Sequence, residues 1–557
     1  MAWKFRSLGL AATIVGAALL GAGATARAAD EDHRHDADIG TLSFETSCNP
    51  AAEALIREGA AWLHSFGYPD AETSFRAAAA ADADCAIAQW GIAMSQFHPL
   101  WEPPTAAELA KGRAAMSEAA TRPGKANAIE RGLVSAIATF FDPARTTHAE
   151  RVTAYSQAMR DLLARFSSVH EVRAFTALSL LAVGLLDKDP GYAREKEAAI
   201  LLDEVFAVNP DHPGVTHYLI HGFDSPSLAP LALAAAKRYA KIAPDSAHAH
   251  HMPSHIFVRL GMWEDAISSN INSEASAMRI ARRQGLADSS SERLHAMDYL
   301  AYGYLQLGRD RDAARVLANL GAIRQADPPV FSVAYAATAI PARYALERRQ
   351  WQDAASLKLP GKAETLASLD QYPWGRAHIY FAQAVGAARS GQVERARTAL
   401  DRLVAIRSAI TVPAGTYDWA NQVEIQRRVA AAWVAQAEGR KADALATMRE
   451  AADLDDRSEK HPVTPGQILP AREQLGELLL DQGNAPGALA EFRAALERAP
   501  NRFGSIYGAA RAARALRDRK AAEAYYRQLA ALPADPDRAG IAEARAFLGG
   551  QRLAAQR

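Results

Sequence analysis

The sequence predicts an all-α chain whose helical hairpins stack into an α-solenoid. Three observations predict it. Alanine runs are frequent and β-branched alternation is scarce, which favours helix over strand. A pattern of small, glycine and aromatic residues recurs at fixed offsets along most of the chain. The length of 557 residues exceeds what one ordinary globular core holds, so the chain is several domains or a repeat array. Lys plus Arg equals Asp plus Glu, at 63 each. That balance gives no electrostatic case for nucleic acid or an acidic membrane surface as a partner.

In chain order, residues 1–28 read as a signal peptide. Lys4 and Arg6 form the basic start, Leu8 to Leu20 the apolar stretch, and Ala26-Arg27-Ala28 the cleavage site. No later segment is apolar over the roughly 18 residues a span requires, so no membrane span is expected after cleavage. The expected location is periplasmic or secreted. Residues 29–45 are polar and expected to be a disordered leader, and its His33 and His35 read as part of a solvated tail. Cys48 and Cys85 are the two cysteines. In an oxidising compartment they are expected to pair, tying the leading segment to the first helical hairpin.

The repeat is clearest in LGELLLDQGNAPGALAEFRAALERAP, through Gly476, Gly483, Ala488, Phe492, Ala495 and Pro500. These residues resemble the tetratricopeptide repeat, a helical hairpin of about 34 residues. They match its positions 8, 15, 20, 24, 27 and 32. Gly59, Ala71, Phe75 and Ala78 take positions 8, 20, 24 and 27 of an N-terminal unit. The pairs Gly261/Ala266, Gly308/Ala313, Gly391/Ala396 and Gly439/Ala444 take positions 15 and 20 of others, and Ala522 and Tyr526 fit a last one. Residues 102–190 and 325–372 read as helical but irregular. The array divides into N-terminal repeats (46–190), central His-rich repeats (191–325), C-terminal repeats (326–545) and a tail (546–557). The resemblance implies a right-handed superhelix, since one repeat cannot bury its own apolar face. It also implies a concave groove lined by positions 2, 5, 9 and 12 of each first helix. Those positions share one helical stripe.

That register places chemistry in the groove. His217 and His221 take positions 5 and 9 of one repeat, and His251 and His255 take the same positions one repeat later. Two imidazoles at i, i+4 converge on one metal ion, and adjacent helices lie about 8–10 Å apart. The four histidines are therefore the expected ligands. His248 and His295 fall at position 2, and Asp298 at position 5 of the following repeat. These three are expected as further ligands or as acceptors for an imidazole N–H. His250, at position 4, ranks below them. Nitrogen-rich ligation suits a transition metal such as Zn, Cu or Fe.

Other residues are groove candidates. His64 and His98, one repeat length apart, read either as aromatic packing with hydrogen-bonded imidazoles or as a wall of the same pocket. His378 falls at position 2 of its repeat, and His461 sits in the Pro/Gly loop SEKHPVTPG. Glu473 and Glu477 take positions 5 and 9 of the best repeat, and Tyr507 and Arg511 the same positions of the next. No GxSxG elbow, P-loop or HExxH occurs. More narrowly, the phrases LHSFGY, WGIAMSQFHPLW, HYLIH, HMPSHIFVRLGMW and EKHPVTPG look like those of a group of exported bacterial tetratricopeptide-repeat proteins. That likeness implies fold and export.

Two functional readings stand at this level. In one the chain is a metalloprotein that stores metal, is structured by it, or activates a bound water with Asp298 or Glu473 as proton acceptor. In the other it is a non-catalytic scaffold binding a peptide or protein partner in the groove.

Overall fold

The computed structural model describes residues 37–101, 103–122, 125–187, 189–283, 285–286, 289–361, 369, 371–413 and 416–555. The expected signal peptide, His33 and His35 lie outside the described residues. Contacts divide the chain into a leading segment, Met1–Asp38, and one compact unit, Ile39–Arg557, that carries every helix among the described residues.

The fold is all-α. Among the described residues there are twenty-six α-helices and a short 3-10 turn, Ala229–Ala232. The one departure is a two-residue parallel pairing of Ser289–Ser290 with Ala326–Asp327. Successive helices pack as hairpins, and each hairpin packs on the next. Pro50–His64 lies on Tyr68–Ala81, Ala471–Asp481 on Ala485–Arg498, and the latter on Phe503–Ala515. This is the tetratricopeptide-like solenoid that the repeat pattern predicts.

The repeat residues do the work their positions imply. Gly261, Gly308, Gly391, Gly439 and Gly483 each turn the chain between two helices with φ between 65° and 84°. That left-handed region disfavours any residue with a Cβ. Where the second helix carries an aromatic residue at position 24, as at Phe75 and Phe492, its ring fills the gap between neighbouring first helices. A Cβ added at Gly476 or Gly508 would stand 2.8 or 2.2 Å from the Phe492 ring. At Gly59 or Gly91 it would stand 2.9 or 2.2 Å from Phe75.

Residues 102–190 are more regular than their sequence suggests. They form Ala106–Ala120, Ala128–Phe141, His148–Arg165 and His170–Asp187. Capping boxes start three of these helices, at Thr105/Glu108, Asn127/Glu130 and Thr147/Glu150. Side-chain caps satisfy the free N–H groups here. Cys48 and Cys85 form a disulfide with Cα atoms 5.1 Å apart.

The inner positions that the resemblance places along a concave groove are buried in the central repeats. Within the compact unit the repeats close on one another. Trp263 Nε1 donates to the Asn501 carbonyl at 2.9 Å, and the Asp535 N–H donates to the Gly308 carbonyl at 3.0 Å. The helix Ser291–Gln306 packs on Phe503–Ala515, and Pro50–His64 packs on Pro213–Gly222. Inward-facing positions of the central repeats are consequently core. His217 and His251 have no exposed surface.

Candidate metal centre

Three helical segments position the histidines. Pro213–Gly222 carries His217 and His221 and starts with Pro213, whose missing N–H costs nothing there. The stretch HAHHMPSHIFVR forms two short helices, Ala247–His251 and Pro253–Arg259. Pro253 cannot donate and so interrupts the hydrogen-bond ladder. Met252 still keeps helical angles, φ −53° and ψ −38°, so His251 and His255 stay one turn apart on one face. Ser291–Gln306 carries His295 behind a Ser290 cap.

Six histidines form two sets. In each, the expected i, i+4 pair is joined by the position-2 histidine of the following repeat. His217, His221 and His248 make one set, and His251, His255 and His295 the other; the ligand-capable atoms of each set lie within 4.8 Å of one another. The sets adjoin. Ring centroids across them are 6.2 Å apart for both His221–His255 and His248–His251. That is no farther than the 6.4 Å of His221–His248 within one set. Burial pushes the pKa of all six imidazoles down, and repulsion from neighbouring imidazoles adds to it at five of them, while at His255 Lys460 and Arg259 add to it against the pull of Asp224. Neutral imidazole is the form that binds metal.

Hydrogen bonds at Nδ1 fix which nitrogen carries the lone pair. His217 Nδ1–H donates to the His64 carbonyl at 2.6 Å. His251 Nδ1–H donates to Asn270 Oδ1 at 2.7 Å. The Asn270 amide cannot be flipped, because its Nδ2 donates to the Ala266 carbonyl at 2.7 Å. His255 Nδ1–H donates to Asp224 Oδ2 at 2.9 Å. In all three rings Nε2 is therefore the unprotonated atom. Yet His251 Nε2 and His255 Nε2 face each other at 3.0 Å, two lone pairs with no proton between them. His217 Nε2 faces His248 Nε2 at 3.1 Å. Two nitrogens bound tetrahedrally to one ion at about 2.0–2.1 Å would stand about 3.3 Å apart. His221 Nε2 and His248 Nδ1 are buried with no hydrogen-bond partner, an arrangement that costs about 1–3 kcal/mol per group unless something fills it. Nδ1 acceptors that orient the rings and free Nε2 are the supporting shell a metal site requires.

A third cluster, His64, Glu171 and His212, can also hold an ion by its spacing. Its hydrogen bonds favour a clamp instead. His212 Nδ1 accepts the Val215 N–H at 3.4 Å, so its Nε2 carries the proton and donates to Glu171 Oε1 at 3.1 Å. His64 Nε2 bonds Glu171 Oε2 at 2.8 Å, and Tyr218 Oη stands 2.9 Å from its Nδ1. Burial works against the Glu171 charge, but His212 and His64 outweigh it and hold the carboxyl well below its usual range. The clamp fixes the backbone of His64, which in turn orients His217. It needs Gly214, where a Cβ would meet His64 Nδ1 at 2.1 Å.

His64 and His98, one repeat length apart, take different places in the fold. His64 ends the helix Pro50–His64, whereas His98 lies beyond the end of Ala86–Met94. His98 precedes Pro99, and a residue before proline is driven out of helical geometry. His98 packs against Tyr68 at 4.4 Å between centroids. Phe66 and Trp101 wall the first set, at 5.6 and 5.8 Å from the His248 ring.

The C-terminal candidates stay apart from the histidine sets. Asp298 pairs with Arg343, both buried, and touches no imidazole nitrogen. Glu473 accepts from Ser505 and from Arg502 at 3.1 and 3.2 Å. Glu477 pairs with Arg349 and Arg511, and Tyr507 donates to Glu543 at 2.7 Å. Glu473 and Glu477 are buried, and arginines from other repeats pair with them. Asp298 and Glu473 are each paired with an arginine, Arg343 and Arg502. His378 bonds Thr338 at 3.0 Å, and His461 stacks on Trp419 at 5.1 Å and accepts the Val463 N–H at 3.1 Å.

The loop around His461 does reach the centre, through residues the sequence did not single out. Lys460 Nζ donates to Asp224 Oδ2 at 2.7 Å, and Arg259 Nε donates to Asp224 Oδ1 at 2.8 Å. Tyr299 donates to the Val463 carbonyl at 3.2 Å, with its oxygen 3.3 Å from His255 Nε2. Burial lowers the Lys460 pKa to about 8, against the pull of Asp224. A signal for Asn270 was present. It occupies position 24, where other repeats carry Phe75, Phe492 and Tyr526, and a polar residue in an aromatic slot marks a buried partner. Glu171 and Asp224 had no such marker.

No protein-family model matches the chain, and no curated protein matches it. Among solved structures, a monomeric mutant of IFIT1 with Gppp-AAAA is 13% identical, with 87% of this chain and 97% of that chain covered and a TM-score of 0.38. A human IFIT1 dimer with PPP-AAAA is 11% identical, covering 84% and 95%, at 0.35. Yeast Tom70 is 12% identical, covering 90% of each chain, at 0.28. Similarity this low carries no argument about function, and the fold rests on the helices and packing described above.

Proposed function

We infer that this chain is an exported metalloprotein whose helical repeats wrap two adjoining three-histidine metal sites. His217, His221 and His248 hold one ion, and His251, His255 and His295 the other. The observation that carries this reading is the pair of Nε2 lone pairs of His251 and His255, facing each other at 3.0 Å with both Nδ1 protons committed elsewhere. Two such lone pairs repel unless a cation lies between them. The ions are transition metals, because imidazole sets of this kind suit Zn, Cu or Fe over Mg or Ca.

Export rests on the N-terminal pattern of Lys4, Arg6, the apolar stretch and Ala26-Arg27-Ala28. The scaffold reading, with a peptide in the concave groove, needs inner positions open to a partner. In the central repeats those positions are buried, so the interior supports a bound ion better than a bound chain.

The test is metal content. The mature chain is expressed in the periplasm, purified without a nickel column and analysed for metals by mass spectrometry. The expected result is up to two transition-metal ions per chain in the wild type, and a loss of both in a His217→Ala/His251→Ala variant. A metal-free wild type whose melting temperature does not respond to added metal would overturn the reading.

A further inference from the structure

Resting on the metal reading above, we propose that the six-imidazole cage is selective for monovalent copper, two Cu(I) ions per chain. The ligands are all neutral. Each set contains three histidines and no carboxylate or thiolate. A divalent ion there brings two charges that no ligand offsets.

The surroundings do not offset them either. Asp224 is the carboxylate that touches the cage, through His255 Nδ1. It is already paired with two cations, Lys460 at 2.7 Å and Arg259 at 2.8 Å. Glu459 also pairs with Arg259, at 3.2 Å, so these four groups sum to zero and bring no net negative charge to the rings before any metal arrives. Glu171, the next carboxylate toward the first set, is shared between His64 and His212. Asp298 is neutralised by Arg343.

Placing an ion in a dry interior costs a charging energy that grows with the square of its charge. The cage is largely buried. Five of its six rings are at most 7% exposed, His221 is half-buried, and the aromatic rings of Phe66, Tyr218, Tyr239 and Tyr299 pack directly on His217 and His251. For two adjoining sites the ions also repel each other, and that repulsion is fourfold larger for a divalent pair than for a monovalent one. Imidazole suits copper among the first-row metals, and copper is the one of Zn, Cu and Fe that carries a single charge as a stable ion, Cu(I).

The experiment compares ions on the full mature chain stripped of metal. Cu(I) is titrated anaerobically against a chromogenic cuprous chelator, and Cu(II) and Zn(II) against chelators of their own. The expected result is two Cu(I) per chain, each held more tightly than either divalent ion by about 10-fold or more, or about 1.4 kcal/mol. An Asn270→Asp variant puts a carboxylate against His251 Nδ1 without changing side-chain size. It is expected to narrow the preference at one site by about 10-fold or more. If that variant fails to fold, the wild-type ratio alone decides. Zn(II) or Cu(II) binding as tightly as Cu(I) would overturn the monovalent assignment while leaving the metal reading in place. Failure to take up any of the three ions in stoichiometric amount would overturn the metal reading and this proposal with it.

Discussion

Asn270→Ala separates a metal-binding role for His251 from a packing role. Asn270 is fully buried, and its Oδ1 accepts from His251 Nδ1 at 2.7 Å. Removing it would leave an unpaired buried N–H, at a cost of about 1–3 kcal/mol. The ring has an escape. By shifting its proton to Nε2, His251 can donate to His255 Nε2 across the existing 3.0 Å gap. That tautomer stabilises the metal-free protein and withdraws the atom that binds metal. The melting temperature of the metal-free variant is therefore expected to stay close to that of the wild type. Metal affinity at the His251/His255/His295 site is expected to fall about 10–100-fold, or about 1.4–2.7 kcal/mol. The first set, held by the His64 carbonyl instead, keeps its affinity. A competition titration resolving one weakened and one intact site is the assay. Undiminished binding at both sites would refute the tautomer argument.

Three further outcomes are expected. Glu171→Gln tests the clamp by pH: the Glu171 carboxyl is held below its ordinary value of 4.5, so its contribution is fully present above that pH and lost as pH falls below it. The variant should melt lower by about 1–3 kcal/mol at neutral pH and show a flatter acid limb in melting temperature against pH. Cys48→Ser opens a loop of 37 residues, for which the chain-entropy relation gives about 4 kcal/mol. Reductant should lower the wild-type melting temperature to that of the variant and leave the variant unchanged. Gly508→Ala drives a methyl into Phe492 at 2.2 Å and should cost about 1–3 kcal/mol in thermal unfolding. Gly321→Ala meets nothing within 4 Å and should be neutral or stabilising by up to about 1 kcal/mol.

The sequence carried the fold where close packing restricts residue choice. Gly476, Phe492 and Gly483 are legible because an aromatic ring and a left-handed turn leave few substitutes. The same register located the two His-x-x-x-His pairs and put His248 and His295 beside them. What it could not show is how tightly the array winds. Curvature comes from contacts such as Trp263 with Asn501, between residues far apart in sequence with no shared motif. The repeat pattern therefore implied a concave groove but not how deeply its inner positions are buried in the central repeats. Asp298 and Glu473 then looked like free acids, because their partners Arg343 and Arg502 come from other repeats. The acceptors that set the imidazole tautomers were hidden for a similar reason. One is a backbone carbonyl, that of His64, and another is Asp224, beyond the helix end Gly222. Only Asn270 sat where the repeat rule expects something else.

The central claim is that two sets of three imidazoles each bind an ion through nitrogen. X-ray absorption at the metal edge of the loaded protein tests it most directly. The account predicts a first shell of about three imidazole nitrogens per metal at about 2 Å, with the outer-ring scattering of histidine and no sulfur. A shell dominated by oxygen or carrying fewer than two imidazoles per metal would contradict it.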